Sequence, residues 1–237
     1  MLILPAIDLF MGQAVRLYKG DYAKKTVYSD VPVDVALAFK EAGAACIHLV
    51  DLEGAREGTT PNFDLVCRIK EESGLFCQVG GGIRSGEVIR RYVEAGLDRV
   101  ILGTAAVIHP GFLKEMVHTY GDLIAVGIDI RDGLVAISGW TQNSRHEAMN
   151  FAKSMQDIGV KTLIVTDISR DGAMQGANLD LYRTLSDRFS MDIIASGGVS
   201  SLDDVRALRE LNLYGAILGK AYYTGAVDLK AAIEEAK

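Results

Sequence analysis

The sequence predicts a (β/α)8 barrel, or TIM barrel, with two similar halves. Eight short apolar runs alternate with longer amphipathic segments along the 237 residues, as eight β/α units require. In addition, residues 78–107 align without a gap on residues 194–223. These two observations favour a closed barrel over an open, doubly wound sheet.

The eight apolar runs are the predicted strands. They are rich in Val, Ile and Leu, and they are continuous rather than alternating, which is typical of a parallel sheet covered on both faces. In chain order the runs are LILPAID (2–8), CIHLVDL (46–52), LFCQVGGG (75–82), RVILGTA (99–105), IAVGIDI (124–130), TLIVTDI (162–168), DIIASGG (192–198) and GAILGKA (215–221).

Amphipathic stretches between these runs predict the helices. Examples are residues 33–43, 85–96 and 201–212, and several of the stretches end on Gly, as helices commonly do. No linker rich in Pro or Ser and no low-complexity segment interrupts the pattern. We therefore expect residues 1–237 to form a single domain.

The internal repeat places equivalent residues at equivalent strand ends of the two halves. An offset of 116 residues superimposes the glycines of VGGGIRS on those of ASGGVSS, and Asp51 on Asp167. With an offset of 121 residues, PAID aligns with VGID, so that Asp8 meets Asp129. Four β/α units therefore occur twice, and we expect approximate twofold symmetry about the barrel axis.

Composition argues against several classes of function. No run of about 18 apolar residues is present, so we expect no membrane span, and no basic segment precedes the first strand as in a signal peptide. The net charge of −6 argues against nucleic acid as a partner. The three cysteines form no C-x-x-C pair and predict buried thiols in a reducing compartment. We expect a cytoplasmic monomer.

Glycines at four strand ends predict two phosphate-binding sites. A strand followed by paired glycines and a helix start lets backbone N–H groups approach a phosphate closely. The VGGG and SGG segments have this pattern, and ILGTA and ILGKA bring a glycine to the neighbouring strand end. A tight βα turn is the alternative for any single glycine pair. Duplication at adjacent strand ends favours two sites on opposite sides of the barrel mouth, and a ligand with a phosphate at each end.

Asp8 and Asp129 end strands that lie across the predicted barrel from each other, at the face where catalytic residues of this fold collect. Two carboxylates between two phosphate sites can act as general base and general acid if their environments separate their pKa values. A single such residue could instead cap a helix or pair with arginine, but the duplication favours catalysis. Asp51 and Asp167 are also duplicated, and their charged neighbours leave a structural salt bridge as an equal alternative.

The remaining polar candidates each allow two interpretations. His48 could donate a hydrogen bond to a ligand or be a satisfied barrel histidine, and Trp140, the only tryptophan, could stack on a ligand ring or belong to the core. HEAMN (146–150) lacks the second His of a zinc motif, so we expect no metal there. The loop after the first strand is either a lid over an anionic ligand or a solvated segment, and its two later lysines favour the second. Its basic residues are Arg16, Lys19, Lys24 and Lys25.

The motifs at the strand ends resemble those of the HisA family of histidine-biosynthesis isomerases. The resemblance covers essentially the whole chain and rests, in order, on LPAIDLFMGQAVRLYKGD, HLVDLEGA, GGGIRS, GTAAV, GIDIRDG, GW, TDISRDG, GGVSSLDD and LGKA. Members convert ProFAR, a phosphoribosylformimino-5-aminoimidazole carboxamide ribotide with a phosphate at each end, to its ribulosyl isomer PRFAR. The resemblance therefore implies an Amadori rearrangement of an aminoaldose to an aminoketose, without a metal or an organic cofactor.

The resemblance also implies roles for individual residues. Asp8 matches the family's general base, Asp129 its general acid, and Thr166 a residue that assists at the reacting ribose. The residues implied for one phosphate are Gly81, Gly82, Gly103 and Thr104, and those for the other are Gly198, Gly219 and Lys220. The positions that match other substrate contacts are Arg16, His48, Arg84, Trp140, Asp171 and Gly172.

Related functions remain as alternatives. The sister cyclase family HisF shares the duplication and both aspartates but usually opens with CLDV and then KDG, whereas this chain has PAIDL and VRL. A dual-substrate relative also isomerises phosphoribosyl anthranilate, and that choice depends on the loops around Trp140 and Arg145. A catalytically silent phosphosugar-binding barrel is disfavoured because both aspartates are retained. Ala173, where many members carry a polar residue, leaves the detail of the sixth loop open.

Overall fold

The computed structural model describes residues 1–18 and 20–237. Within them the chain forms twelve strands: β1 (Leu2–Phe10), β2 (Gln13–Tyr18), β3 (Asp21–Ser29), β4 (Cys46–Asp51), β5 (Phe76–Gly80), β6 (Arg99–Leu102), β7 (Ile124–Arg131), β8 (Leu134–Ile137), β9 (Gln142–Glu147), β10 (Thr162–Asp167), β11 (Asp192–Ser196) and β12 (Gly215–Leu218).

The helices follow the barrel strands in sequence. They are α1 (Pro32–Glu41), α2 (Leu52–Glu57), α3 (Phe63–Ser73), α4 (Gly86–Glu94), α5 (Thr104–Ile108), α6 (Pro110–Tyr120), α7 (Ala148–Ile158), α8 (Leu179–Arg188), α9 (Leu202–Glu210), α10 (Lys220–Tyr223) and α11 (Leu229–Glu235). One 3-10 turn, Gly121–Leu123, precedes β7. The three helices predicted as examples are confirmed with ends shifted by a few residues.

Eight of the strands close into a parallel barrel. Their order around the barrel is β1, β4, β5, β6, β7, β10, β11 and β12, and β12 pairs with β1 to complete the ring. These are the eight runs that the sequence predicts, so the TIM-barrel prediction is confirmed. Because β1 and β7 are four places apart in this ring, Asp8 and Asp129 end opposite strands.

Apolar side chains fill the barrel interior and the space outside it. The interior cluster lies on alternate positions of the strands and consists of Leu4, Ala6, Cys46, Ile101, Ala125, Ile164, Ile194 and Ile217. A larger cluster packs the outer faces of the strands against the helices, and it includes Phe39, Tyr92 and Tyr182, which are fully buried. This packing accounts for the continuous apolar runs, since each strand buries both of its faces.

Two antiparallel hairpins interrupt the β/α alternation, one in each half. The segment predicted as a loop after the first strand contains β2 and β3, and β2 pairs with β1 beside Asp8. In the second half β8 pairs with β7 beside Asp129 and continues into β9. Lys19 lies outside the described residues. Each hairpin therefore rises from the rim next to one of the two predicted catalytic carboxylates.

Helix caps explain how the helices begin after the tight turns. The Ser85 and Ser201 hydroxyls accept hydrogen bonds from backbone N–H groups in the first turns of α4 and α9, at positions related by the repeat offset of 116. Among the described helices, none is long and apolar enough to cross a membrane.

The packing of α1 against the barrel yields a stability prediction. Phe39 is fully buried, and its ring meets Tyr222 edge-on at a centroid distance of 4.9 Å. Removing it opens a cavity, so we expect Phe39→Ala to lower the free energy of unfolding by about 3–5 kcal/mol. Urea unfolding monitored by circular dichroism measures this. Ile108→Ala, at a 51% exposed position, should cost less than about 1 kcal/mol. Equal losses in the two variants would contradict the assignment of Phe39 to the core.

Candidate active site

One cavity opens at the carboxyl ends of the eight parallel strands. All sixteen residues predicted for catalysis and ligand binding line it: Asp8, Arg16, His48, Gly81, Gly82, Arg84, Gly103, Thr104, Asp129, Trp140, Thr166, Asp171, Gly172, Gly198, Gly219 and Lys220. Their roles remain predictions, but the fold brings every one of them to a single concave surface.

Asp8 stands at the end of β1 beside a buried cation. Its Oδ2 lies 2.9 Å from Nη1 of Arg16 on β2, and both side chains are nearly buried. Burial raises the pKa of Asp8 to about 6, while Arg16 opposes the rise and Asp171 adds to it. Asp8 is therefore poised to exchange a proton near neutral pH.

Asp129 stands at the end of β7 and has different neighbours. The side chains of Trp140 and Thr166 hydrogen-bond to it, and Thr166 is its partner in the register of β7 with β10. Burial raises the pKa of Asp129, the two hydrogen bonds oppose the rise, and the charge of Asp171 adds to it. Within the described residues, no cation is among the groups that shift its pKa.

Asp171 is a third carboxylate of the cavity. It follows β10, and burial raises its pKa, whereas the positive charges of Arg16 and Lys220 lower it. Its position in the sequence indicates only a possible salt bridge, and its assignment to the site comes from the family resemblance. The Nζ of Lys220 donates a hydrogen bond of 2.8 Å to the Gly172 carbonyl oxygen, which ties this loop to the start of α10.

The paired glycines after β5 and β11 are required by close backbone contacts. Gly81 and Gly82 have φ of 108° and 73°, and a Cβ on Gly82 would lie 1.9 Å from the Thr59 carbonyl oxygen. In the second half, Gly198 has φ of 92°, and its Cβ would lie 2.4 Å from the Gly176 carbonyl oxygen. Only glycine fits these positions, and the bare backbone is left facing the cavity.

Asp51 and Asp167 form hydrogen bonds with the loops that contact these glycines. Asp51 is fully buried and accepts hydrogen bonds from the Gly54 and Asn62 backbones and from the Asn62 side chain. Asp167 accepts bonds from Ser169 and from the Asn178 side chain, 2.6 Å away. Neither forms an ion pair among the described residues, so the salt-bridge alternative is wrong: both carboxylates accept hydrogen bonds from nearby loop residues. Asn62 and Asn178 are themselves 116 residues apart, a repeat signal that the sequence contained.

The two predicted phosphate sites carry their cations at different strand ends. In the first half, Arg84 follows β5, whereas its counterpart in the second half is Ser200. In the second half, Lys220 follows β12, whereas its counterpart in the first is Thr104, whose Oγ1 accepts a hydrogen bond from the Ser138 N–H. A Cβ on Gly219 would meet the Arg16 guanidinium at 2.3 Å, so Arg16 also borders the second site.

Trp140 belongs to the cavity and not to the core. It occupies the turn between β8 and β9 with φ of 69°, lines the cavity and hydrogen-bonds to Asp129. Its ring packs against Gly20 of the first hairpin, where a Cβ would lie 2.6 Å away. Arg145, on β9, is exposed and is not among the lining residues. Ala173 does not line the cavity either; its N–H closes a turn on the Arg170 carbonyl oxygen.

The described basic residues of the first hairpin have different surroundings. Arg16 points into the site, whereas the Lys24 side chain is 65% exposed and Lys25 lies over the Phe10 ring. The described residues contain no group of three or more His, Cys, Asp or Glu side chains placed to hold a metal ion.

His48 has a polar partner that sequence reasoning missed. Its Nδ1 lies 2.8 Å from Nε2 of Gln78 on β5, whose Oε1 accepts a hydrogen bond from Arg99 on β6. Burial lowers the pKa of His48 to about 3, and the positive charge of Arg16 contributes to the lowering. His48 is therefore a neutral imidazole. Gln78 and Arg99 are polar residues inside otherwise apolar strands, and the sequence could have indicated a buried polar network on that basis.

Comparison with known proteins agrees with this geometry. The model of the histidine biosynthesis protein family matches residues 2–228. The chain belongs to this family. Three similar members are named as ProFAR isomerases: that of Lactococcus lactis subsp. cremoris is 49% identical over 97% of this chain and 94% of its own length. That of Clostridium novyi is 47% identical over 99% and 98%, and that of Acetivibrio thermocellus is 46% identical over the full length of both chains.

The glycine contacts of this histidine biosynthesis family member give a binding prediction. We expect Gly82→Ala to reduce the number of inorganic phosphate sites seen by isothermal titration from two to one, because its Cβ displaces the loop at Thr59. Gly43→Ala is the matched control, since Gly43 also has positive φ but its added Cβ would have no atom within 4 Å. Two phosphate sites of unchanged affinity in Gly82→Ala would contradict the assignment.

Proposed function

We propose that the protein is a ProFAR isomerase, which converts the aminoaldose ProFAR to the aminoketose PRFAR by an Amadori rearrangement. The observation that carries the proposal is the placement of two carboxylates on opposite strands, between two duplicated glycine loops of one cavity. A substrate with a phosphate at each end spans such a cavity. The names of the similar family members support the same reaction.

The two phosphates are held mainly by backbone N–H groups, and each site also has a cation, with Arg16 as a further cation at the border of the second. Arg84 serves the site formed by Gly81, Gly82 and Gly103, and Lys220 serves the site formed by Gly198 and Gly219. The N–H groups after a strand end supply directional donors, and the cation adds charge. The protein's net charge of −6 is compatible with this, because the attraction is local.

Catalysis begins with protonation of the ribose ring oxygen by Asp129. The ring then opens to a Schiff base, Asp8 removes the proton from C2, and the resulting enolamine tautomerises to the ketone. The imine formed from the substrate's own nitrogen accepts the electron pair, so the reaction needs neither a metal nor an organic cofactor. Thr166 assists at the reacting ribose by its hydrogen bond to Asp129.

The environments of the two carboxylates favour this division of roles. Arg16 forms an ion pair with Asp8 and stabilises its ionised form, as a base requires. Burial and the negative charge of Asp171 favour the protonated form of Asp129, as an acid requires, although the hydrogen bonds from Trp140 and Thr166 oppose this effect. Trp140 and His48 complete the walls around the reacting sugar.

We also propose that the enzyme is a single-domain, cytoplasmic monomer. The pairing of β1 with β12 joins the two ends of the barrel sequence in one unit. Cys46 and Cys77 are buried free thiols whose pKa values burial raises, as suits a reducing compartment. Light scattering after size-exclusion chromatography tests the oligomeric state.

Substitution of the carboxylates tests the mechanism. With ProFAR as substrate, we expect Asp8→Asn and Asp129→Asn each to lower kcat by about 10²–10⁴, because each removes one proton-transfer group. Asp157→Asn, on the exposed side of α7, should retain full activity. Absence of turnover by the unsubstituted protein, or an Asp8→Asn variant with unchanged kcat, would contradict the proposal. Running phosphoribosyl anthranilate in parallel decides whether the enzyme also accepts the second substrate.

The pKa of Asp8 sets the acid side of the pH profile. Below about pH 6, kcat/KM should fall as the base becomes protonated, since only the carboxylate accepts the C2 proton. Arg16→Met removes the charge that lowers the pKa of Asp8, so it should move this limb to higher pH in addition to weakening the enzyme. A pH profile of kcat/KM from about pH 4 to 9 measures both. An unmoved limb in Arg16→Met would show that another group controls it.

A further inference from the structure

A buried chain of three polar side chains runs from the lower interior of the barrel to the cavity. Arg99 opens β6, is only 7% exposed and donates through Nη1 to Oε1 of Gln78 at 3.1 Å. Gln78 is fully buried on β5, and its Nε2 lies 2.8 Å from Nδ1 of His48 on β4. His48 in turn lines the cavity. The chain therefore joins three neighbouring strands and ends at the active site.

The direction of these hydrogen bonds is fixed by chemistry. A guanidinium has donors only, so the Gln78 atom that faces Arg99 must be the carbonyl oxygen. The Gln78 amide nitrogen, which also only donates, then faces His48. Nδ1 of His48 must accept this bond and carries no proton, and a neutral imidazole therefore has its proton on Nε2. The ring nitrogen away from Gln78 is thus a donor.

Gln78 is the hydrogen-bond acceptor that the described residues provide for the Arg99 guanidinium. Within these residues Arg99 forms no ion pair with a carboxylate, and its Nε has no hydrogen-bond partner. Its guanidinium carbon lies 5.1 Å from the Phe76 ring centroid and 5.7 Å from that of Tyr214. Both rings lie at the amino-terminal end of the barrel strands. A buried, incompletely paired guanidinium is costly, and the feature it does determine is the orientation of the Gln78 amide.

We infer that Gln78 and Arg99 are positioning residues that hold His48 as an Nε2–H donor toward the substrate in the cavity. The kinetic part of this inference rests on the proposed isomerase function, whereas the state of the His48 ring does not. Among the described residues, the charged group that bears on His48 is Arg16 on β2, which contributes with burial to keeping the imidazole uncharged.

Nitrogen NMR of the full-length protein labelled with ¹⁵N-histidine tests the ring state directly. The chain has four histidines, and His48→Asn assigns the relevant signals. We expect Nδ1 of His48 to be unprotonated and Nε2 to be protonated from about pH 5 to 8. Protonation on Nδ1, or on both nitrogens near pH 7, would overturn the inference whether or not ProFAR is a substrate.

An isosteric substitution tests the link to turnover. In Gln78→Glu the carboxylate accepts from Arg99 and also from His48, which forces the His48 proton to Nδ1 and removes the donor from the cavity side. We expect the NMR signals to switch accordingly, and kcat at about pH 8 to fall roughly ten- to hundredfold, the scale of lost orienting partners. A switched ring with unchanged kcat, or an unswitched ring, would overturn the positioning role.

Arg99 supplies a second pair of variants in case Gln78→Glu does not fold. Arg99→Met frees the amide to rotate, so we expect a mixture of His48 tautomers and a roughly three- to tenfold lower kcat, whereas Arg99→Lys keeps a donor and should restore both. Thr162→Val changes another buried polar position at the start of a barrel strand and should change neither. Identical behaviour of Arg99→Met and Arg99→Lys would contradict the inference, and the spectrum of the unsubstituted protein decides it if neither folds.

Discussion

Closure of the barrel is the constraint on which the site depends. The pairing of β1 with β12 fixes eight strand ends on one rim, and it sets β1 opposite β7. Asp8 and Asp129 consequently face each other across one cavity although they lie 121 residues apart in sequence. The same closure places the two glycine loops on opposite sides of that cavity. Neither half alone would supply both carboxylates and both phosphate sites.

The residues that recur in both halves build the backbone framework of the site, whereas the residues that differ between the halves surround the two carboxylates. The glycine pairs, the helix-capping serines and the aspartate–asparagine braces recur at the same offset, because each half must hold the same backbone conformation. The groups next to the carboxylates do not recur: Arg16 pairs with Asp8, whereas Trp140 and Thr166 bond to Asp129. Two equivalent aspartates therefore stand in different electrostatic environments, one beside a cation and the other beside neutral donors, which is what an acid–base pair needs.

Much of the fold could be predicted from the sequence, and the site in part. Apolar runs mark the eight strands, and the repeat identifies the residues that share strand ends. The hairpins were missed because β3 and β9, DYAKKTVYS and QNSRHE, are largely exposed and carry no apolar signature. The sequence left the role of Asp51 open, because its charged neighbours suggested a salt bridge while its hydrogen-bond partner Asn62 lies in a different segment, 11 residues away. Gln78 and Arg99 were not predicted, because both faces of a barrel strand are apolar and the sequence pattern does not show which face a polar residue occupies.

The central claim is that Asp129 opens the sugar ring and that Asp8 acts only afterwards. Single-turnover reaction with ProFAR, quenched with borodeuteride, tests this order most directly, because it reduces a ring-opened imine to a stable linear amine labelled at C1 and the ketone of PRFAR to an alcohol labelled at C2. We expect Asp8→Asn to yield the trapped linear amine without PRFAR, and Asp129→Asn to yield neither. Trapping of the linear amine by Asp129→Asn and not by Asp8→Asn would contradict the account and reverse the roles of the two carboxylates.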